Sequence, residues 1–417
     1  MQAAVNERLE EIRRAAETAV EKPAGLGPDI DLARFDARAE HATVASMQSL
    51  ERQVREAALA VGVDASEAGR AGSYMQIDRS TVYEAVQDAY RGQIEIMSTT
   101  EAIERFPEVV ERYWWRAVAP DKDKYTSRAA LHQTEGYFIR VKAGEHVDRP
   151  IQSCLLVSEN RFSQNVHNVI AVEDGASANV ITGCTIHPEV EEGIHIGVSE
   201  FYVGRGASLT FTMIHNWAES FQVRPRTGIV VEEGGTFVNN YVLLREVRSI
   251  QSYPSARLAG ENARAVFNTI VYGLGDSVID LGAEVILEAP GCRAESVARS
   301  VARDRSAVWS RGRLVGRHDD VKAHLDCRGI VFGHDASMYA IPELAAEGAP
   351  RAELSHEAAI SPIAEEEVTY LMSRGLPKDE AVSMITRGFV NLEIPGLPAP
   401  LRASIDRAIA ETTAESM

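Results

Sequence analysis

Several features that define common protein classes are missing from this 417-residue sequence. There is no run of about 18 consecutive apolar residues, so no segment is predicted to span a membrane. Lys and Arg number 43 against 61 Asp and Glu, and the formal net charge is −18. This acidity argues against a nucleic-acid partner, because such proteins need a basic face. The N-terminus lacks a basic stretch followed by an apolar one, so no signal peptide is expected.

Cysteine is also scarce, and no CxxC pair is present. The four cysteines are Cys154, Cys184, Cys292 and Cys327. They lie too far apart for a disulfide framework, and this usage is typical of a reducing compartment. A composition of 45% hydrophobic and 25% charged residues indicates a folded soluble chain. We therefore expect a cytoplasmic protein.

Motifs for nucleotide binding and for hydrolysis are absent as well. The sequence contains no G-x-x-x-x-G-K-[ST] segment, and no G-x-G-x-x-G lies between a predicted strand and a predicted helix. Neither G-x-S-x-G nor H-E-x-x-H occurs. The chain is therefore not expected to bind or hydrolyse nucleotide by itself.

The N-terminal region, residues 1–134, is predicted to be mostly helical. Apolar residues recur at helical spacing over 7–20, and further helices are expected at about 44–60, 80–90 and 101–111. The aromatic cluster Tyr113-Trp114-Trp115 is interpreted as a plug of the core.

Residues 135–357 have a different pattern, in which short runs of Val, Ile, Thr and Phe alternate with turns of Gly, Asp, Asn and Glu. The turn signals lie roughly 28 residues apart at first and about 15 apart later. Such repeats favour a β-solenoid, in which each coil buries its face against its neighbours. A β-sandwich is the alternative. Helical periodicity returns over 358–417, with helices at 364–374, 378–387 and 401–414 and a stiff linker at 395–400.

A thiol, an imidazole and a carboxylate are spaced about one coil apart. Cys327 lies in a β run, and His356 and Glu357 follow about thirty residues later. One coil period would place the two segments side by side, where the three groups suit iron or zinc. The alternative is that Cys327 is a buried small hydrophobe and that His356 and Glu357 cap the next helix.

The pair Asp319-Asp320 suggests a second kind of function. Polysaccharide-cleaving enzymes on β-solenoids use acidic clusters on one coil face, so this pair is a candidate acid site. We favour a solvated corner instead, because the pair lies in a turn beside His318 and Lys322.

Several segments resemble the SufB/SufD family of iron–sulfur cluster assembly scaffolds. The strongest similarity lies in Ser355–Ser361, Tyr370–Leu376 and Glu380–Phe389. Weaker matches upstream fall in family order, at Thr182–Thr185, Ile194-His195 through Glu200, Asn216-Trp217 and Tyr253-Pro254-Ser255. The resemblance covers roughly residues 135–393.

This resemblance implies a right-handed parallel β-helix between helical ends. It implies a dimer, with a second copy or a SufD-like paralogue, that carries a SufC-like ABC ATPase on its C-terminal helices. The dimer would build a transient [4Fe-4S] or [2Fe-2S] cluster from iron and a sulfur donor and pass it to apo-protein acceptors. The chain itself would then be a scaffold and not an enzyme, since the partner hydrolyses ATP.

The resemblance also implies roles for individual residues. Cys327 matches the cluster-ligand cysteine, and His356 and Glu357 match the motif that faces it. Because both Cys327 and Glu357 are kept, the chain looks SufB-like, and a SufD-like subunit without its own cluster is the alternative. SufB carries a cysteine thought to receive sulfur where this chain has Ala256, so sulfur entry there is in doubt. Cys184 and Cys292 are either substitutes or buried structural thiols.

Overall fold

The computed structural model describes residues 2–390. Strand makes up 44% of it and helix 19%, with a β-solenoid of about 8 turns between N-terminal and C-terminal helices. The predicted mainly β solenoid is confirmed, and the sandwich alternative is wrong. The linker predicted at 395–400 and the helix predicted at 401–414 lie outside the described residues.

The N-terminal region mixes helices with strands. Helices α1–α5 are Gln2–Glu17, Arg52–Ala60, Thr99–Arg105, Glu108–Arg112 and Lys124–Leu131. Strands β1–β3 are Gly72–Ile77, Ser80–Val86 and Ile94–Ser98. The helix predicted over 80–90 is wrong, because its β-branched and aromatic side chains favour a strand and β2 pairs antiparallel with β1.

The coils of the solenoid are built from strands β4–β21. In chain order these are Tyr137–Val141, Ile151–Val157, Phe162–Val172, Ser177–Ile186, Gly193–Val203, Ser208–Asn216, Phe221–Val223, Arg226–Val231, Thr236–Leu243, Ser249–Ser252, Ser255–Leu258, Arg264–Gly273, Val278–Leu287, Arg293–Ala302, Ala307–Gly316, Lys322–Val331, Ser337–Ala346 and Glu353–Ser361.

Two sheets form the walls of the solenoid. The first sheet has the order β2-β1-β5-β7-β9-β12-β15-β17-β19-β21, and all of its pairs beyond the β1–β2 hairpin are parallel. The second sheet runs from β3 through β4, β6 and β8 to β16, β18 and β20. Gly228 lies beside Ser255, Thr236 beside Arg264 and Lys322 beside Glu353, so one coil takes between 27 and 31 residues. This spacing agrees with the predicted repeat.

Side chains that point inward from both sheets form the main core. In β16, Ile279, Leu281, Ala283, Val285 and Leu287 are all buried at alternate positions, as expected for a strand with one face inside.

The turn signals form the corners between the two sheets. Gly206 and Gly234 have φ angles of 61° and 62°, a left-handed conformation that glycine adopts without steric cost. Both residues lie in predicted turns.

A second apolar cluster covers part of the outer face of the first sheet. Met47, which precedes α2, and Val54, within α2, lie over the early strands of this sheet. Val390 packs at its later strands with Tyr272 and Val301. Val390 ends the second of two C-terminal helices, α6 (Glu365–Ser373) and α7 (Lys378–Val390). Among the described helices, none is long and apolar enough to cross a bilayer.

The aromatic cluster at 113–115 is buried, so its interpretation as a core plug is confirmed. A fully buried carboxylate, Glu200, holds it in place. Glu200 accepts hydrogen bonds from the backbone amides of residues 115–118, at 2.6 to 3.1 Å, and from His167 Nε2 at 2.8 Å. The ring of His167 lies against both Trp114 and Trp115. This network fixes the N-terminal region to the second sheet.

Candidate functional site

The structure brings the predicted thiol segment and the His-Glu segment together at one end of the solenoid. Strand β19 carries Cys327 and pairs in parallel with β21, which carries His356 and Glu357. In this register His356 lies beside Leu325, Glu357 beside Asp326 and Ala358 beside Cys327. One coil period therefore has the effect expected from the sequence.

The alternation of side chains separates the three candidate ligands between two faces. Cys327 points into the solenoid and is 1% exposed, within the main core. His356 lies on the same inner face, in the row that continues from buried Leu325. Glu357 lies on the outer face, with its side chain 65% exposed. Within one chain, Cys327 and Glu357 therefore project from opposite faces of one sheet.

The thiol of Cys327 sits in an enclosed, weakly polar environment. Burial raises the pKa of Cys327 above its ordinary value, and a hydrogen bond with Ser310 offsets part of that rise. Ser310 lies in β18, on the opposite wall. Next to it, Gly312 approaches Leu325 so closely that an added Cβ would lie 2.4 Å from the leucine side chain. The thiol is therefore protonated at neutral pH, until a metal or a base takes its proton.

On the outer face, Glu357 ends a short chain of ion pairs. Arg299 binds Asp326 at 2.7 Å, Arg328 binds Asp326 at 3.0 Å, and Arg328 reaches Glu357 at 3.4 Å. Arg299 and Asp326 are largely buried, whereas the Arg328–Glu357 pair lies at the surface, where an individual ion pair contributes about 0–1 kcal/mol. Glu357 can therefore leave Arg328 at small cost.

The imidazole of His356 has a ring nitrogen without a partner. Its Nε2 is buried and makes no hydrogen bond within residues 2–390. The neighbouring Ser355 hydroxyl is engaged elsewhere, 2.8 Å from His324 Nδ1. A buried polar atom of this kind is costly without a ligand.

The alternative role for these residues, as a helix cap, is wrong. His356 and Glu357 lie within strand β21, which continues to Ser361. Helix α6 begins at Glu365, and its N-cap residue Ala364 makes no side-chain capping bond.

The last coil leaves an open edge on each sheet. Within the described chain, β20 and β21 each pair with a strand on one side only. Apolar side chains remain exposed on this coil: Tyr339, Ile341, Leu344 and Ile360 are between 39% and 47% exposed. Unpaired strand edges with apolar side chains are sites of association. His356 and Glu357 thus border a surface suited to a second chain, and Cys327 lies one strand further in.

The candidate iron ligands do not form a complete site within the described part of one chain. Across residues 2–390, no three His, Cys, Asp or Glu side chains are arranged to hold a metal ion. The candidate acid pair Asp319-Asp320 is occupied by ion pairs at a corner, with Arg351 at 3.2 Å and Arg293 at 3.3 Å.

The comparison with known protein families shows which family this chain belongs to. Residues 155–389 match the family model described as "SUF system FeS cluster assembly, SufBD core domain". The chain belongs to the SufBD family. An iron–sulfur cluster assembly SufBD family protein of Methanothermobacter thermautotrophicus is 46% identical over 408 residues, which is 96% of this chain and 98% of that protein.

Two further relatives show the range of similarity within the family. A SufBD family protein of Archaeoglobus fulgidus is 42% identical over 84% of this chain and 92% of its own length. The iron–sulfur cluster assembly protein SufB of Bacillus subtilis is 26% identical over 81% of this chain and 73% of its own length. The predicted membership of the SufB/SufD family is confirmed.

The residues suggested for sulfur entry are all buried. Ala256, which the resemblance predicts to replace a cysteine of SufB, is fully buried in the main core. Its suggested substitutes, Cys184 and Cys292, are buried too, and all four cysteines are free thiols.

The contribution of Ser310 was missed in the sequence. It lies 17 residues before Cys327, close to half a coil, so the half-period of about 15 residues was the available signal. A serine at that distance has no distinctive pattern, and only the folded coil shows that it faces the thiol.

Proposed function

We propose that this chain is a scaffold subunit on which a labile iron–sulfur cluster is assembled at the joined ends of two solenoids. The observation that carries the proposal is the placement of Cys327 beside an open-edged strand that bears His356 and Glu357. A second copy, or a SufD-like paralogue, would supply the remaining ligands. The chain itself would not be an enzyme.

The ligand set explains why a cluster here would be transient. Stable ferredoxin-type clusters have four cysteine thiolates, and this end of the chain offers Cys327 alone. Cys327 would bind cluster iron as the thiolate, with His356 donating a ring nitrogen and Glu357 a carboxylate oxygen. A [4Fe-4S] or [2Fe-2S] cluster so held is easily passed to an apo-protein acceptor.

The open edge bears on the separation between the two faces. Glu357 lies on β21, the last strand, and would border the partner directly, whereas Cys327 lies on β19, one strand further in. A cluster held by both Cys327 and Glu357 would therefore require β21 to shift away from β19 when the second chain binds. Release of Glu357 from Arg328 would accompany this step.

Energy for assembly would come from a SufC-like ABC ATPase bound to helices α6 and α7. These helices expose Tyr370, Met372 and Met384, at 58%, 45% and 45%. Phe389, at the end of α7, is not part of this exposed face and packs against the apolar cluster on the outer face of the first sheet. The exposed apolar face suits a protein partner.

The cellular setting follows from the same chemistry. Four buried free thiols fit a reducing cytoplasm. Ala256 cannot carry persulfide sulfur. Sulfur from a donor protein would therefore enter this chain without the help of a thiol at position 256.

The test is anaerobic co-expression of the chain with its ATPase, followed by a visible spectrum and iron and sulfide counts. We expect Cys327→Ser to abolish the cluster absorption while the melting temperature changes little. Cys154→Ser is the matched control, because Cys154 is equally buried and lies on β5, far from the open edge. A Cys327→Ser protein that keeps full iron and sulfide would refute the assignment. A wild-type chain that forms no cluster alone would favour the SufD-like subunit.

A further inference from the structure

A cluster of sulfur and imidazole groups lies inside the solenoid, away from the proposed assembly site. Cys184 on β7 and Met213 on β9 both project inward, and the Cys184 thiol donates to the Met213 thioether at 3.6 Å. Five strand spacings of about 4.8 Å separate β7 from β19, so Cys184 lies about 24 Å from Cys327. The cluster therefore belongs to a different part of the molecule.

A histidine with one unpartnered ring nitrogen lies on the strand next to Cys184. His215 lies beside Cys184 in the strand register and is 3% exposed. Its Nδ1 is 2.9 Å from the Tyr241 hydroxyl, whereas its Nε2 is buried and bonds to nothing in the described chain. A metal-ligating histidine has this pattern, with one nitrogen fixed by a hydrogen bond and the other free.

The protonation states suit ligation. Burial, with His195 nearby, lowers the pKa of His215 well below its ordinary value, so the imidazole is neutral. Burial raises the pKa of Cys184 well above its ordinary value.

Space for an ion is present next to two of these groups. A cavity of about 50 Å³ is lined by Met213, His215 and Tyr241, with His195 and Asn168 also on its wall. Cys184 does not line this cavity, but its thiol contacts Met213, which does. A volume of about 10–15 Å³ already admits a water molecule. His215, whose Nε2 has no partner, therefore lines a cavity large enough to hold a ligand.

We propose that Cys184, Met213 and His215 form an internal binding site for a soft monovalent cation, Cu(I). The ion replaces the thiol proton, which leaves for solvent, and forms bonds to the two sulfurs and to His215 Nε2. No electron is transferred, since copper stays Cu(I) throughout. Metal–sulfur bonds of about 2.3 Å in a trigonal arrangement separate the sulfurs by about 4.0 Å, close to the 3.6 Å observed.

Charge and ligand type select this ion over iron and zinc. Thiolate and thioether ligands favour Cu(I). One thiolate neutralises one positive charge, whereas a divalent ion would leave a buried charge uncompensated, which is costly. The site is therefore independent of the proposed cluster ligands and of the iron they would bind.

The test is an anaerobic titration of the full-length chain with Cu(I), in competition with a chromogenic Cu(I) chelator. We expect one high-affinity Cu(I) per chain, retained in Cys327→Ser. Affinity should fall at least about tenfold in Met213→Leu and in Cys184→Ala. Met213→Leu conserves volume and should keep the fold, and a melting curve checks this. The Met213→Leu variant therefore carries the test if Cys184→Ala fails to fold.

X-ray absorption of the copper-loaded chain gives a second readout. Two sulfur ligands and one nitrogen ligand are expected in the wild type, with one sulfur lost in Met213→Leu. Equal affinity in the wild type and in folded Met213→Leu, or loss of binding in Cys327→Ser, would overturn the proposal. Failure of cluster assembly in Cys327→Ser with Cu(I) binding intact would separate this site from the proposed scaffold function.

Discussion

Truncation of one side chain on the last coil tests whether two solenoids join end to end. Leu344 on β20 lies in register with Leu314 on β18. Leu314 is 1% exposed because the next coil covers it, while Leu344 is 41% exposed. A second chain placed on the open end would cover Leu344 as the last coil covers Leu314.

The size of the effect follows from this exposed fraction. Full burial of a leucine is worth about 1.5–3 kcal/mol, so covering the 41% that remains exposed contributes about 1 kcal/mol per chain. A symmetric dimer has two such sites, so Leu344→Ala should cost about 2 kcal/mol, or about 30-fold in the dimer dissociation constant. Leu344→Glu should weaken the dimer further, because it would bury a charge.

Sedimentation over a range of concentrations measures this constant directly. Leu59→Ala is the control, because Leu59 is 51% exposed on α2, away from the last coil. We expect wild-type behaviour from the control and a shift toward monomer for Leu344→Ala. A dissociation constant within twofold of wild type for both Leu344 variants would show that the open end is not the dimer surface.

Four further outcomes follow from the structure. Tyr370→Ala should reduce capture of the co-expressed ATPase while the Leu59 variant does not; equal capture would move the docking surface elsewhere. Thiol labelling of Cys327 in the complex should speed up when ATP is bound to a hydrolysis-dead ATPase, and identical rates in a nucleotide-bound complex would rule out coupling between the two sites. Burial raises the pKa of Cys154 from 9.0 to about 12. As the pH rises, the unfolded chain therefore loses the Cys154 proton before the folded chain does. The free energy of unfolding should fall between pH 9.0 and about 12 by up to about 1.4 kcal/mol per pH unit. Cys154→Ala should flatten that decline in urea titrations, and an unchanged slope would contradict the assignment. Glu200→Gln should lower the unfolding free energy by about 3–5 kcal/mol, because a donor would replace an acceptor among converging N–H groups; a loss under about 1 kcal/mol would show that those groups find other partners.

Much of the solenoid was predictable because its signals are local. Turn residues such as Gly206 and Gly234 must occur at every corner, so the coil period is visible in the sequence. The same period placed the strand of Cys327 next to the strand of His356 and Glu357. The hairpin formed by β1 and β2 was less predictable, since its strand pairing depends on contacts with β5 far along the chain.

The relative orientation of the ligands could not be predicted with the same ease. The faces of Cys327 and Glu357 depend on the register between β19 and β21, and a shift of one residue would reverse every side chain. The exposed edge is likewise a property of the whole fold, because Leu344 resembles the buried Leu314 in sequence pattern. The cluster of Cys184, Met213 and His215 could not be predicted for another reason. Cys184 and His215 lie one coil apart in the sequence, and the residues carry no motif.

The open last coil also decides where this molecule opens first. In a repeat structure each coil is held by its two neighbours, and a terminal coil has only one. Local unfolding of β20 and β21 should therefore require less free energy than opening of any coil inside the solenoid. A group held between Cys327 and Glu357 could then be released by the separation of one coil, without disruption of the remaining walls. Hydrogen exchange of the backbone amides would reveal such a gradient, fastest at β21 and slowest near β9 and β12.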